Sequence, residues 1–283
     1  MSAHILDGKL VAAKIKEELV LEISQLKKTT GKSPLLHAVS FLKDPSIDNY
    51  RVSQQKAANL LGIEYKDSSF APKNTDDAIN YIQSLLSTAP HAAIFIFTPT
   101  PAHIDFKMMN ERLMNMRNVE GLHPMNLGAL FLGSSECLHP PTPAAALALL
   151  KSAHVSLSGK TAVILGRSNV VGKPLIHLLL AEDVTVTVCH SKTPVDQMKR
   201  LTASADIIFA CVGKAAFVKK EWVKPGAIVI DIGTNEAGGK IVGDVAEDVR
   251  DVAGFLSPVP GGVGPVTSVM LMKNVVEVFK KFK

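Results

Sequence analysis

Residues 161–175, TAVILGRSNVVGKPL, leave few folds open to this chain. A run of β-branched and apolar residues ends on Gly166, and Gly172 follows six residues later. The front half is patterned as a buried strand, and the stretch from about Val170 to Leu180 as a helix. A strand that turns at glycine directly into a helix opens a βα unit, and such units assemble into parallel sheets flanked by helices. Backbone amides at this turn, aided by the positive end of the helix dipole, suit a phosphate. The pattern is Gly-Arg-Ser-x-x-x-Gly rather than Gly-x-Gly-x-x-Gly, so Ser168 holds a dinucleotide pyrophosphate less tightly than glycine would. An ordinary βα turn without a ligand is the plain alternative at this point.

The same alternation runs through the rest of the chain. The spacing of apolar residues predicts helices over 8–29, 49–61 (stopped by Gly62), 76–88 (capped by Thr75), 143–153 and 265–281. Strands are expected at 35–42, 92–97, 184–188, 206–211 and 227–231. This is an α/β pattern. Residues 121–143, rich in Gly, Pro and His, read as irregular and as the domain boundary. A length of 283 residues holds about two domains. One comprises 1–142 plus 265–283, with the last helix returning to pack on it; the other, 143–264, is Rossmann-type.

Composition narrows the function. With 47% apolar and 20% charged residues the chain is not intrinsically disordered. Three cysteines, Cys137, Cys189 and Cys211, without a CxxC spacing favour neither a disulfide framework nor a zinc site, and fit a reducing, cytoplasmic setting. The N-terminus has no apolar signal core, and no run approaches the ~20 apolar residues of a membrane span. The net charge of +5 is spread along the chain without a basic stripe interleaved with aromatics, which argues against nucleic acid and suits small anionic ligands. His123 and His139 lack metal spacing; His123 is expected to bond structurally, and no metal is expected. Cys189 and Cys211 read as core, and Met108, Met109, Met114 and Met116 as helix packing. Asp231, at a strand end before Gly233, suits either a structural bond or a catalytic role.

The strand after the glycine turn ends in TVCHSKT, residues 187–193. Many NAD sites place an acid there for the ribose 2′-hydroxyl. This chain has none, and offers Ser191, Lys192 and, in the turn, Arg167. An acid repels a 2′-phosphate and these residues attract it, so NADP is favoured over NAD; solvated surface charges are the simpler reading of Arg167 and Lys192 alone. His190 lies beside the same site.

These motifs, taken in order, resemble the methylenetetrahydrofolate dehydrogenase/cyclohydrolase (FolD) family. In the second half they are GRSNVVGKP, TVCHSKT, GAIVIDIGTN (226–235), VGDV (242–245) and PVPGGVGPVT (258–267). The first half adds DGK (7–9), the helix of Tyr50, PTPAHI (99–104), VEGLHPMNLG (119–128) and PTP (141–143). The resemblance implies a folate-handling α/β domain, a Rossmann-type NADP domain and a homodimer. It places Gly166, Arg167, Ser168, Val171, Gly172, His190, Ser191, Gly213 and Thr234 around NADP, with Arg167 and Ser191 on the 2′-phosphate. Tyr50, Pro99, Glu120, Pro258, Gly261 and Gly262 fall on its folate-contacting positions. It also implies two successive reactions: hydride transfer from 5,10-methylenetetrahydrofolate, then hydration of the methenyl product to 10-formyltetrahydrofolate.

The departures from the family pattern concentrate on one of those reactions. The family's Tyr-Val-x-x-Lys carries the cyclohydrolase lysine, whereas counting from Tyr50, or back eight from Gly62, arrives at Gln54. Lys56 lies about 200° further round the helix and points elsewhere. Phe97 replaces the family's lysine-bonded glutamine, Glu120 its folate-binding aspartate, Pro141 a cysteine and Ile47 a serine. Glutamine cannot titrate, so it cannot serve as a base for water. A lysine beside Phe97 would lose its polar partner, so losing both together avoids a desolvation cost. Hydride transfer requires two rings held at near-attack distance rather than a protein base. The expectation is an NADP-dependent dehydrogenase with weak or lost cyclohydrolase activity, with Tyr50, Gln54, Phe97 and Glu120 at its centre. The alternatives are an enzyme with both activities, a non-catalytic NADP- and folate-binding paralogue, and a dehydrogenase for a modified pterin.

Overall fold

The computed structural model describes residues 2–113, 117–134 and 136–283; Met114 and Met116 lie outside the described residues. In chain order the elements are β1 (His4–Ile5), α1 (Gly8–Thr30), β2 (Leu35–Ser40), α2 (Pro45–Leu61), β3 (Glu64–Ser69), α3 (Thr75–Thr88), β4 (Ala93–Ile96), α4 (Phe106–Arg112), α5 (Pro124–Phe131) and α6 (Pro141–Lys151). They continue with β5 (Thr161–Leu165), α7 (Gly172–Leu180), β6 (Thr185–Cys189), α8 (Val195–Ser204), β7 (Ile207–Ala210), β8 (Ile228–Asp231), β9 (Asn235–Ala237), β10 (Lys240–Val242), β11 (Phe255–Leu256) and α9 (Val263–Phe282). Two compact units result: Lys14–Pro141 with Ser268–Lys283, and Met1–Ala13 with Thr142–Thr267.

The first unit is built on a parallel sheet ordered β3-β2-β4. Its central strand β2 is buried along its whole length, which is why LLHAVS reads as a mostly apolar run rather than as alternation. Leu35, Val39, Ile79, Ile82, Ile94 and Ile96 form the core between this sheet and α3. In α3 the buried residues Ala78, Ile79, Ile82 and Leu86 recur at helical spacing. Asn74, not Thr75, caps it: the Asn74 side chain accepts from Asp77 N. The last helix closes the unit. Asn274 Nδ2 donates to Val119 O (2.7 Å) and His139 O (2.9 Å), and Lys280 pairs with Glu22 at 2.9 Å.

Residues 121–143, expected to be irregular, contain α5 and the start of α6. Pro124 opens α5 behind His123, whose Nδ1 accepts from Met125 N, so His123 has the expected structural role. The helix has only 8 residues, and with Gly128 inside it no period is legible. Buried Asn126 fastens the segment through bonds to Gly121 O, Leu138 O and Leu138 N.

The second unit carries a six-stranded, wholly parallel sheet ordered β1-β11-β8-β7-β5-β6. Counting from β5, its five consecutive strands run in the order 2-1-3-4-5, one of the two common doubly wound orders, whose ligand crevice opens at the carboxyl ends where the direction of winding reverses. Here that switch point lies between β5 and β7. β1 pairs with β11 and adds an edge strand, so residues 1–13 group with this unit. Two residues are too short a strand to show a period. The β9–β10 hairpin turns on Gly238 and Gly239, both at positive φ, as a two-residue turn between right-twisted strands requires.

Candidate active site

In the second unit the residues closing the strands at the switch point surround a cavity of about 230 Å3. β5 ends in Leu165 and Gly166, β6 in Cys189 and His190, and β7 runs into Cys211 and Val212; Arg167, Ser191, Lys214 and Phe217 complete much of the wall. Of the residues singled out from sequence, Gly166, Arg167, His190 and Ser191 line this cavity. Ser168 instead ties the turn that leads into α7, its Oγ accepting from Val171 N (3.1 Å) and Gly172 N (3.5 Å). The two glycines are demanded by packing. A Cβ on Gly172 would lie 2.4 Å from Gly166 O, and one on Gly166 would lie 2.5 Å from Cys211 O. Thr234 is exposed, and Gly213 holds a left-handed turn at φ +66°.

The lining contains no carboxylate and presents Arg167 and Lys214, so it suits an anion. The two nearby acids are occupied elsewhere. Asp231 Oδ1 accepts from Gly233 N and Asp244 N, and Oδ2 from Val245 N. Burial pushes its carboxyl up to about 6, against those three amide bonds. Asp231 is therefore structural. Cys189 is buried, as expected; Cys211 is half-buried and its thiol is pushed up to about 12 by burial, with Asp244 adding to it. Asp244, part of a motif legible in the sequence but not singled out there, organises the next turn of chain.

The loop of Pro258, Gly261 and Gly262 belongs to this second unit. Gly8 N donates to Gly261 O at 2.9 Å, and a Cβ on Gly8 would lie 1.7 Å from Gly262 O. The DGK motif thus owes its glycine to this loop.

In the first unit α2 places Tyr50 and Gln54 one turn apart, and Phe97 follows β4. The Tyr50 ring, 41% exposed, meets Phe95 (5.8 Å) and Phe97 (5.9 Å) edge-on. Arg51, not anticipated as part of this group, lies 5.6 Å from the Phe97 ring centre. It donates to Ser40 Oγ and pairs with Asp48 and Asp67. Gln54 is only 4% exposed; its side chain stands within hydrogen-bonding reach of the Tyr50 hydroxyl, and its amide atoms meet no other partner among the described residues. It borders a gap of about 10 Å3 with Tyr50, Ser53, Ala57, Ser268, Leu271 and Met272. Lys56 is exposed, on a different face from Gln54.

Glu120 is the second polar group left over. Its Oε2 is buried without a partner, while its backbone amide donates to Asn118 Oδ1. Burial pushes its carboxyl up to about 7. Burial likewise raises the Tyr50 hydroxyl; a hydrogen bond with the Gln54 side chain opposes that shift and Glu120 adds to it, which puts Gln54 and Glu120 each within reach of Tyr50. Phe97 is 1% exposed, and Pro99 lies at the exposed start of the next loop. The predicted residues Tyr50, Gln54, Phe97 and Glu120 thus converge on one patch. It can pack a planar ring and exchange one proton, at Glu120, near neutral pH.

Comparison with known proteins also divides the chain near residue 140, but counts residues 6–13 with the first part and the last helix with the second. Residues 6–120 match the tetrahydrofolate dehydrogenase/cyclohydrolase catalytic domain, and residues 140–283 the NAD(P)-binding domain of the same family. The chain is 40% identical to bifunctional protein FolD 2 of Desulfitobacterium hafniense over 277 residues, covering 97% of this chain and 96% of that one. It superposes on the bifunctional FolD of Campylobacter jejuni with a TM-score of 0.92 and 36% identity, covering 99% of each chain. The Trypanosoma brucei methylenetetrahydrofolate dehydrogenase-cyclohydrolase, solved with NADP cofactor and an inhibitor, gives 0.90 and 33%, covering 99% of this chain and 98% of that one. This chain belongs to the tetrahydrofolate dehydrogenase/cyclohydrolase family.

Proposed function

We propose that the chain is an NADP-dependent 5,10-methylenetetrahydrofolate dehydrogenase in which methenyl hydration is weak or lost. The reading rests on Gln54: a buried amide one turn from Tyr50, at the position to which the family resemblance assigns the catalytic lysine. An amide can orient water but cannot take its proton. NADP, when bound, supplies the hydride acceptor. Arg167 and Ser191 hold its 2′-phosphate, and the absence of a carboxylate from the cavity wall supports NADP over NAD. Tyr50 packs against the pterin, and Glu120 offers it a carboxyl that donates or accepts near neutral pH. Pro258, Gly261 and Gly262 fall on the family's folate-contacting positions. The homodimer belongs to the same reading, and sedimentation tests it.

A fully bifunctional enzyme is the second reading. It is favoured by the bifunctional relatives and by Glu120, an unpartnered carboxyl able to take a proton from water. One experiment separates the two. Pure protein is mixed with methylenetetrahydrofolate and NADP, and methenyl formation and decay are followed independently. Formation with decay at the spontaneous rate supports the dehydrogenase; enzyme-accelerated decay overturns it in favour of the bifunctional reading. No formation with either NADP or NAD overturns both.

A further inference from the structure

The turn after β7 forms a wall of the nucleotide cavity through Cys211, Val212 and Lys214. Its three successive amides do not bond to a neighbouring strand. Val212 N (2.6 Å) and Gly213 N (3.0 Å) donate to Asp244 Oδ2, and Lys214 N (2.9 Å) to Asp244 Oδ1. Successive amides converging through a left-handed residue make an anion-binding nest, and Gly213, at φ +66°, supplies that residue. Here the chain's own carboxylate fills the nest. Asp244 is 0% exposed and takes a fourth bond from Asn235 Nδ2 at 2.9 Å.

Asp244 is itself fixed. Asp231, at the end of β8, accepts from Asp244 N and Val245 N, while Asp231 N donates to Ser257 Oγ at 2.7 Å. The two carboxylates occupy space that side chains would need. A Cβ on Gly243 would lie 1.8 Å from Asp231 Oδ2, and one on Gly233 would lie 2.2 Å from Asp244 Cγ. The glycines of the GTN and VGDV motifs thus make room for this interlock.

We propose that Asp244 is a positioning residue for the nucleotide: by filling the nest it fixes the Val212–Lys214 turn as a cavity wall, and Asp231 fixes Asp244. The proposal rests on the reading that this cavity takes NADP. A carboxylate that served only to stabilise the unit would affect NADP no more than any core residue of equal stability cost.

The test compares Asp244→Asn with Val249→Ala, a fully buried core position of the same unit. NADP affinity is measured by calorimetric titration, and hydrogen exchange is read at the amides of 212–214. Asp244→Asn turns an NH2 group toward backbone N–H donors. It is expected to raise the NADP Kd at least tenfold, to speed exchange at those amides at least tenfold, and to leave the KM for the folate substrate within twofold. Val249→Ala is expected to lower stability with the NADP Kd within twofold. An Asp244→Asn Kd within twofold of the parent overturns the proposal, as does an equal weakening by Val249→Ala. If Asp244→Asn does not fold, Asn235→Ala, which removes one of the four bonds to Asp244, is expected to raise the Kd about threefold; an unchanged Kd overturns the proposal. Failure of the parent chain to bind NADP overturns the cofactor reading together with it.

Discussion

Two pairs of buried polar side chains differ in what meets them. In the second unit Asp231 accepts three hydrogen bonds from backbone amides, and Asp244 accepts three from amides and one from Asn235. In the first unit the buried Oε2 of Glu120 meets no partner among the described residues, and the Gln54 amide has the Tyr50 hydroxyl beside it. A buried polar atom left unpaired costs roughly 1–3 kcal/mol, so evolution tolerates it where something else completes it. The satisfied carboxylates fix a turn of the second unit, whereas the poorly satisfied pair lies at the candidate site of the first.

The largest effect is expected at Gln54, which on the proposed reading stands in place of a titrating group. In Gln54→Lys combined with Phe97→Gln, the new amine regains a polar neighbour and can exchange protons with water. General-base catalysis contributes roughly 10²–10⁴-fold. Methenyl hydration is therefore expected to rise at least ~100-fold, while hydride transfer stays within about tenfold. Spectrophotometric decay of the methenyl product checks this, and an unchanged decay rate would break the assignment of Gln54.

Stability should separate the pairs next. Asp231→Ala strands three buried N–H groups and is expected to cost about 3 kcal/mol or more. Gln54→Leu gives up at most a hydrogen bond with the Tyr50 hydroxyl and is expected to change stability by no more than about 1 kcal/mol. Urea unfolding of both variants reads the difference. Equal losses would mean that Gln54 is satisfied in solution and that the contrast does not hold.

The sequence reveals these two pairs unequally. The βα rhythm and the glycine turn were legible from pattern and spacing, whereas Tyr50, Gln54, Phe97 and Glu120 were singled out by the family resemblance. The edge strand β1 and helix α5 were not, because 2 and 8 residues give no usable period. Asp244 and Arg51 were also missed. Both act through partners distant in sequence, such as Val212 with Asp244 and Ser40 with Arg51, so pairing rather than pattern defines them. The Gly238–Gly239 turn carried a clear hairpin signal that the βα rhythm overshadowed.

Exposed charges form a third class, neither satisfied nor stranded. Arg167 lies at the cavity wall and is exposed, so its loss should spare the fold. Arg167→Ala is expected to weaken NADP about tenfold, one charge-assisted bond to phosphate, and to leave NAD within about twofold. Parallel titrations with both nucleotides check it; equal weakening would move Arg167 away from the 2′-phosphate.

The smallest effect concerns the proton on Glu120. Burial raises its carboxyl from the usual 4.5 to about 7, so the folded chain holds this proton more tightly than the unfolded chain does. Between those two values the folded state carries more proton, and its stability falls as pH rises through the window. The contribution is complete below about 4.5 and gone above about 7. Glu120→Gln carries no such proton. The stability of the parent relative to the variant is therefore expected to decline on the order of 1 kcal/mol from pH 5 to pH 7, with all other titrating groups cancelling in the difference. Urea unfolding of both chains at each pH measures it. A flat difference would place a partner on Glu120 Oε2, and Glu120 would then join Asp231 and Asp244 as part of the architecture.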